Sequence, residues 1–306
     1  MRRWAIVLGN SDQHHAPDLK APFMYCIVRT ALASMALLVC LCVPALSQIT
    51  EGDDGPLRFG RFEHEGKVHY GFISFGGVHT LTGSFFDKDT VVTGNIIPLE
   101  EVRVLPPVIP GKVIGIALNY KSHGGSGGDL QFFAKLPSSI IGHEDTITPP
   151  KGSTNLHYEG EMVIVMGARA KNVSEKEALG FVFGVTAGND VTERSFGSGG
   201  FTVLKSKGSD TFAPLGPWIS PGLTIDNLKF ETLVNGKSVQ KGSTRQMIHS
   251  SAKIISELSR YMTLEPGDVI YTGTAGTTTA LKEGDVVDVL LEGIGRLRNT
   301  VGPTPK

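Results

Sequence analysis

Short apolar runs, broken by glycine and proline, set the rhythm of this chain. Val68–Ile73 alternates apolar with polar or small residues between glycine turns, which predicts a half-buried strand. Ile97-Pro98-Leu99 and Val102–Leu105 lead to Pro106-Pro107 and close a small β-rich module spanning 57–107. Further on, Val113–Leu118, Glu161–Met166 and Phe181–Ala187 are apolar runs, and in the second of them both alternating faces are apolar, as in a strand buried on both sides. Val234-Asn235-Gly236-Lys237 predicts a hairpin with a type I′ turn, since Asn-Gly accepts positive φ at both central positions. Helical spacing is rarer. Ser174–Leu179 reads as a short helix capped by Ser174 with Glu177 completing a capping box. Ser243–Met262 contains the best helix, with Ile248, Ala252, Ile255, Ser259 and Met262 on one face. Leu264–Ile270 and Leu281–Val287 are similar phrases, each a Gly-Asp turn feeding a strand. The pattern predicts an α+β, β-rich fold, and the 38 glycines and 17 prolines supply its turns.

The first 47 residues follow a different pattern. Residues 1–23 lack apolar periodicity and read as an upstream extension. From Met24, one arginine, the apolar run Thr30–Val43 and Pro44-Ala45-Leu46-Ser47 have the layout of a secretory signal over 24–47, with cleavage before Gln48. The expectation is export to a periplasmic or extracellular location with no stable membrane insertion after processing; unused, the signal leaves a cytoplasmic protein. The three cysteines, Cys26, Cys40 and Cys42, all lie in this stretch, so no thiol chemistry or disulfide belongs to the body of the chain. A net charge of −1 over 306 residues gives no footprint for nucleic acid.

Candidate chemistry centres on Tyr158-Glu159-Gly160-Glu161. Alternate strand residues share a face, so Glu159 and Glu161 point the same way, at one end of a buried strand. Clustered buried carboxylates need a proton or a cation, and a hard divalent ion (Mg²⁺, Mn²⁺ or Ca²⁺) suits oxygen ligands. Asp190, at the end of the run from Phe181, is a third ligand candidate. The alternative is a solvated strand end with Asp190 capping a turn. His157 shares the glutamate face, as a further ligand, a partner of one, or a solvent-facing side chain. No H-x-H or H-x-x-x-H supports a histidine zinc site after residue 47.

An ordered series of residues extends this. It runs Asn119-Tyr120-x-x-His123, Glu159-x-Glu161, Asn189-Asp190-x-Thr192-x-Arg194, and Lys207-x-x-Asp210-x-Phe212-x-Pro214-x-Gly216-Pro217. It continues with Asn235-Gly236, Leu264-x-Pro266-Gly267-Asp268-Val269-Ile270-x-Thr272-Gly273-Thr274, and Gly293-Ile294-Gly295-x-Leu297-x-Asn299. The series resembles the fumarylacetoacetate hydrolase family across 112–303, and 57–107 resembles the small N-terminal module of one bacterial branch. The resemblance implies a rolled mixed β-sheet, a homodimer, and Mg²⁺ or a similar ion on Glu159, Glu161 and Asp190. It implies small 2-oxo acids, acylpyruvates or enol acids as substrates, met by C–C hydrolysis, decarboxylation or isomerisation. It casts His123 as general base and Lys207 as a second cation at the enolate, with Tyr120, Lys135, Arg194 and Thr274 binding substrate.

The chain departs from the family pattern at four places. Ser126 stands where hydrolytic members place a glutamate, and Gly197 replaces a common glutamine. His157 replaces an aspartate, and Ala275-Gly276-Thr277-Thr278-Thr279 stands where a proline usually follows Thr274. Gly124–Gly128, around Ser126, is glycine-rich and expected to be mobile. These changes keep a second reading open, an exported metal-containing protein that binds small oxo-acids without turnover.

Overall fold

The computed structural model describes residues 56–197 and 200–305. The upstream extension, the signal segment and the three cysteines lie outside the described residues.

The chain opens with an antiparallel meander of β1 (Arg58–His64), β2 (Lys67–Ser74), β3 (Gly77–Leu81) and β4 (Val92–Pro98), with β5 (Arg103–Leu105) on the other side of β1. Then come β6 (Val113–Ala117), β7 (Gln131–Lys135), β8 (Ile140–Ile141), β9 (Thr146–Ile147) and β10 (Leu156–His157). The central strand β11 (Gly160–Met166) is followed by helix α1 (Glu175–Ala178), β12 (Val182–Asn189), β13 (Thr192–Glu193), α2 (Val203–Lys207) and β14 (Ala213–Ser220). The hairpin β15 (Lys229–Val234)–β16 (Lys237–Ser243), helix α3 (Ser251–Tyr261), β17 (Val269–Tyr271), β18 (Val286–Leu291) and β19 (Gly295–Val301) complete the chain.

A mixed sheet runs β4-β3-β2-β1-β14-β12-β11-β17-β6-β7, with β5 and β8 beside β1 and β14. The meander is thus continuous with the main sheet, through the pairing of Phe59 with Ile219. A second sheet runs β16-β15-β18-β19-β9. Most pairs are antiparallel; β17 pairs β6, β19 pairs β9 and β14 pairs β8 in parallel. This is the expected β-rich α+β architecture.

Every residue of β11 is buried. Met162, Ile164 and Met166 face a core shared with Ile254, Ile255 and Leu258 of α3 and with Phe230, Val289 and Leu297 of the second sheet. Val163 and Val165 face the opposite core, with Phe59, Phe72, Leu215 and Tyr271. The alternation read from the sequence therefore separates two real cores. The small helix α1 has its capping box, and Asn235 and Gly236 take φ of 52° and 76° in the β15–β16 turn.

One expectation needs correction. The long helix begins at Ser251, so Ile248 is outside it. Residues 244–246 form a separate turn closed by a Ser243–Gln246 capping box, and Ser250 caps the helix by accepting from Lys253 N. Two strong capping serines break the apparent periodicity in two. The glycine run after His123 starts as a packed turn, with Gly125 N donating to Tyr120 O at 2.9 Å, while Gly127 and Gly128 have open space around them. A Cβ on Gly125 would meet Leu118 O at 2.2 Å, so glycine is needed there for close approach.

Asp268 ties these parts together. Its side chain is 1% exposed, accepts from the backbone of Lys112 and Glu265 at 2.8 Å each, and pairs with Lys112 Nζ at 2.7 Å. Asp268→Ala leaves two part-buried N–H groups and the Lys112 ammonium without their acceptor, and the expected loss is about 1–3 kcal/mol in urea unfolding. A loss below about 0.5 kcal/mol, the range of ordinary surface changes, would contradict this account.

Candidate active site

The site forms where β11 and β12 end side by side. Gly160 pairs with Asn189 across the ladder, which sets Glu159 and Glu161 beside Asp190. Two bonds lock the alignment: Asp190 N donates to Glu159 O at 2.8 Å, and Glu159 N to Asn189 Oδ1 at 2.9 Å. One oxygen from each of Glu159, Glu161 and Asp190 falls within 4.8 Å of the others, and all three residues are buried.

Cations gather on two of the three acids. Lys207, brought in by α2, donates from Nζ to Glu159 Oε2 at 3.0 Å, Asp190 Oδ2 at 2.6 Å and Thr192 Oγ1 at 2.9 Å. Lys135, on β7, donates to Asp190 Oδ1 at 2.5 Å and to the Lys207 carbonyl. Arg194 Nη2 donates to Glu159 Oε1 at 2.6 Å, and His123 Nε2 lies 3.5 Å from the same oxygen. His123 Nδ1 donates to the Gly276 carbonyl at 2.6 Å, which fixes the ring.

Glu161 is the exception. It accepts a backbone bond from Gly273 at 2.7 Å and pairs with no cationic side chain among the described residues. Burial, then the charges of Asp190 and Glu159, push its carboxyl well above the usual range. Burial works the same way on Glu159, yet Lys207, His123 and Arg194 outweigh it and hold that group well below the usual range. For Lys207 burial is likewise outweighed, by Asp190 and Glu159, and its pKa is raised. Burial prevails at Lys135 and lowers it. The bond to Glu159 raises His123 against the effect of burial.

Three buried carboxylates, one without a cation, form an oxygen-only donor set, and the residues fit a hard divalent ion. His157 is not among them: it bonds to Thr278 and Asn155. Burial, then Arg194, lower its pKa.

Of the residues expected to bind substrate, Arg194 stands at the acids with its side chain 32% exposed. Lys135 is wholly enclosed and serves Asp190. Thr274 is buried, donates its hydroxyl to Gly160 O at 2.7 Å and accepts from Gln240 at 3.1 Å, so that hydroxyl braces the glutamate strand. Tyr120 is 1% exposed against Phe230, and its hydroxyl has no partner among the described residues. Sequence reasoning missed Gln240 and the individual role of Thr278. Gln240 links Gly160 N, Thr274 and the Ala275 carbonyl, and only its place on a strand after the Asn-Gly turn hinted at it.

Comparison with known proteins agrees with this arrangement. Residues 112–302 match the family model described as "Fumarylacetoacetate (FAA) hydrolase C-terminal", and residues 57–107 match "Rv2993c-like, N-terminal". A protein of Archaeoglobus fulgidus is 38% identical over 246 residues, covering 79% of this chain and 94% of that protein. The 4-hydroxyphenylacetate degradation bifunctional isomerase/decarboxylase of Salmonella dublin is 36% identical over 226 residues, covering 70% of this chain and 52% of that enzyme. The crystal structure of 5-carboxymethyl-2-hydroxymuconate delta-isomerase from Mycobacterium smegmatis superposes with a TM-score of 0.76 at 35% identity, covering 80% of this chain and 99% of that one. Fold, site and relatives together define an enzyme. The chain belongs to the fumarylacetoacetate hydrolase family.

Glu161→Gln tests the electrostatic account. The substitution removes an opposed buried charge, so metal-free protein is expected to melt no lower than wild type. Mn²⁺ at a hundred times its Kd should stabilise wild type by about 2.7 kcal/mol and the variant far less. A variant stabilised as strongly as wild type would remove Glu161 from the ion site.

Proposed function

We propose that this protein is a divalent-metal-dependent enzyme acting on small 2-oxo acids, acylpyruvates or related enol acids through an enolate. The observation that carries this is the triad of buried carboxylates within 4.8 Å of one another, ringed by Lys207, Arg194 and His123. A divalent ion (Mg²⁺, Mn²⁺ or Ca²⁺) held by Glu159, Glu161 and Asp190 supplies Lewis-acid stabilisation of the charge that develops on the ligand's oxygen.

The chain's own residues do the rest. The Lys207 ammonium sits between Glu159 and Asp190 and adds positive charge where an enolate oxygen forms. His123 gives its Nδ1 proton to the Gly276 carbonyl in a hydrogen bond, which turns Nε2 toward the acids to move a proton. Arg194, partly open to solvent, takes the ligand's carboxylate in the fork of its guanidinium. Lys135 holds Asp190 and the end of α2 in place. The names of the Mycobacterium smegmatis isomerase and the Salmonella dublin isomerase/decarboxylase support chemistry of this kind. Ser126 is exposed and brings no carboxylate to orient water beside His123, which favours isomerisation or decarboxylation over C–C hydrolysis. A homodimer and export through the segment 24–47 belong to the same proposal. No helix among the described residues is long and apolar enough to cross a membrane.

The test is loss of oxaloacetate and of acetylpyruvate, with and without Mg²⁺ or Mn²⁺. Turnover is expected to need the metal and to vanish in Glu159→Ala/Glu161→Ala. His123→Ala should lower kcat by about 10²–10⁴. Tight binding of these acids with no turnover under any metal would exclude decarboxylation and C–C hydrolysis and leave an isomerase or an exported binding protein.

A further inference from the structure

Two departures from the family pattern touch each other. His157 stands in place of the common aspartate, and Thr278 belongs to the segment that replaces the usual proline. His157 Nε2 lies 3.0 Å from Asn155 Oδ1, and Nδ1 lies 2.7 Å from Thr278 Oγ1. A carboxamide oxygen only accepts, so Nε2 donates to it, and Nδ1 is turned onto the Thr278 hydroxyl. Thr278 offers a lone pair to its other neighbour, and Arg194 Nη2 donates to it at 3.1 Å. The same nitrogen donates to Glu159. The guanidinium is therefore held from two sides, by an acid of the site and by a hydroxyl whose direction His157 sets.

The backbone reinforces this arrangement. His157 bridges Ala280, and the Tyr158 hydroxyl lies 3.3 Å from Thr279 Oγ1, so the segment carrying Thr278 is fastened along its length. Asn155 also accepts the backbone N–H of Arg194 at 3.0 Å, so both ends of the relay start from one residue.

We propose that His157 is a positioning residue: through Thr278 it fixes the Arg194 guanidinium, and so sets how tightly the site holds the carboxylate of its acid ligand. The inference rests on the role given to Arg194 above. An imidazole is the apt residue here, because it orients Thr278 without adding a negative charge that competes with the ligand for Arg194. A carboxylate at this position would add that charge.

The experiment uses the full chain loaded with Mn²⁺ and oxalate, a small dicarboxylate, as the probe. Oxalate and Mn²⁺ affinities are read by calorimetry, and KM and kcat by oxaloacetate loss. His157→Leu and Thr278→Val are expected to raise the oxalate Kd and the KM about tenfold, with kcat within about twofold and Mn²⁺ affinity unchanged. His157→Asn, which keeps an acceptor near the place of Nδ1, and Thr278→Ser are expected to restore binding. In an Arg194→Ala background, neither His157→Leu nor Thr278→Val should weaken oxalate further.

Unchanged oxalate affinity in His157→Leu and Thr278→Val overturns the relay. So does an undiminished effect in the Arg194→Ala background, which would mark both residues as merely structural. Wild type that binds oxalate with this mutational pattern but turns over no substrate supports the relay and sinks the enzymatic reading. Wild type that binds no oxalate overturns both.

Discussion

Three carboxyl groups buried at the ends of two adjacent strands are the constraint around which this structure is organised. An isolated buried carboxylate is disfavoured by several kcal/mol, and the fold brings compensation from every side. Lys207 comes from α2, Lys135 from the sheet edge, Arg194 from the turn after β13 and His123 from the turn after β6. Glu161 alone has only a backbone partner. The imbalance leaves room in the chemistry for one more cation, which is why the site reads as a place for an ion rather than as a closed salt-bridge network.

The acids also lie where the two sheets meet. Gly160, between the glutamates, has no side chain, and a Cβ there would meet Thr232 Oγ1 of the second sheet at 2.0 Å. The contact lets β15 and β16 approach the catalytic strand, and Gln240 uses it to hold Gly160, Thr274 and Ala275 together. The segment after Thr274 then reaches over the site. Gly276 holds His123 through its carbonyl and Ser122 through its N–H, while Thr278 holds Arg194. One short stretch thus sets both the proton-moving and the anion-holding groups.

Much of this was legible in the sequence because its cause is local. Alternation along β11 announced two buried faces, and the E-x-E spacing put both glutamates on one of them. The pairing of Gly160 with Asn189, which brings in Asp190, has no local signature; the ordered family series carried it. Thr274 was expected at the ligand because its position in the series said so, but its hydroxyl has a nearer acceptor in Gly160 O. Gln240 and Thr278 escaped because a lone polar residue on a strand or in a threonine run looks the same whether it braces a site or faces water. The long helix was overdrawn at its start because capping serines break a helix without breaking the apolar spacing.

The place of β17 has a consequence for synthesis. It lies between β11 and β6, pairing Val163–Val165 on one side and Val113–Gly115 on the other. The strand β11 leaves the ribosome roughly 105 residues ahead of it and β6 roughly 155 ahead, waits of roughly 5–20 s and 8–30 s at ordinary elongation rates. During that interval the growing chain carries two apolar strands with unfilled edges, the kind of surface that invites pairing with other chains. The centre of the molecule therefore closes late, and the newborn protein depends on companions or on rapid completion to keep those edges apart from its neighbours.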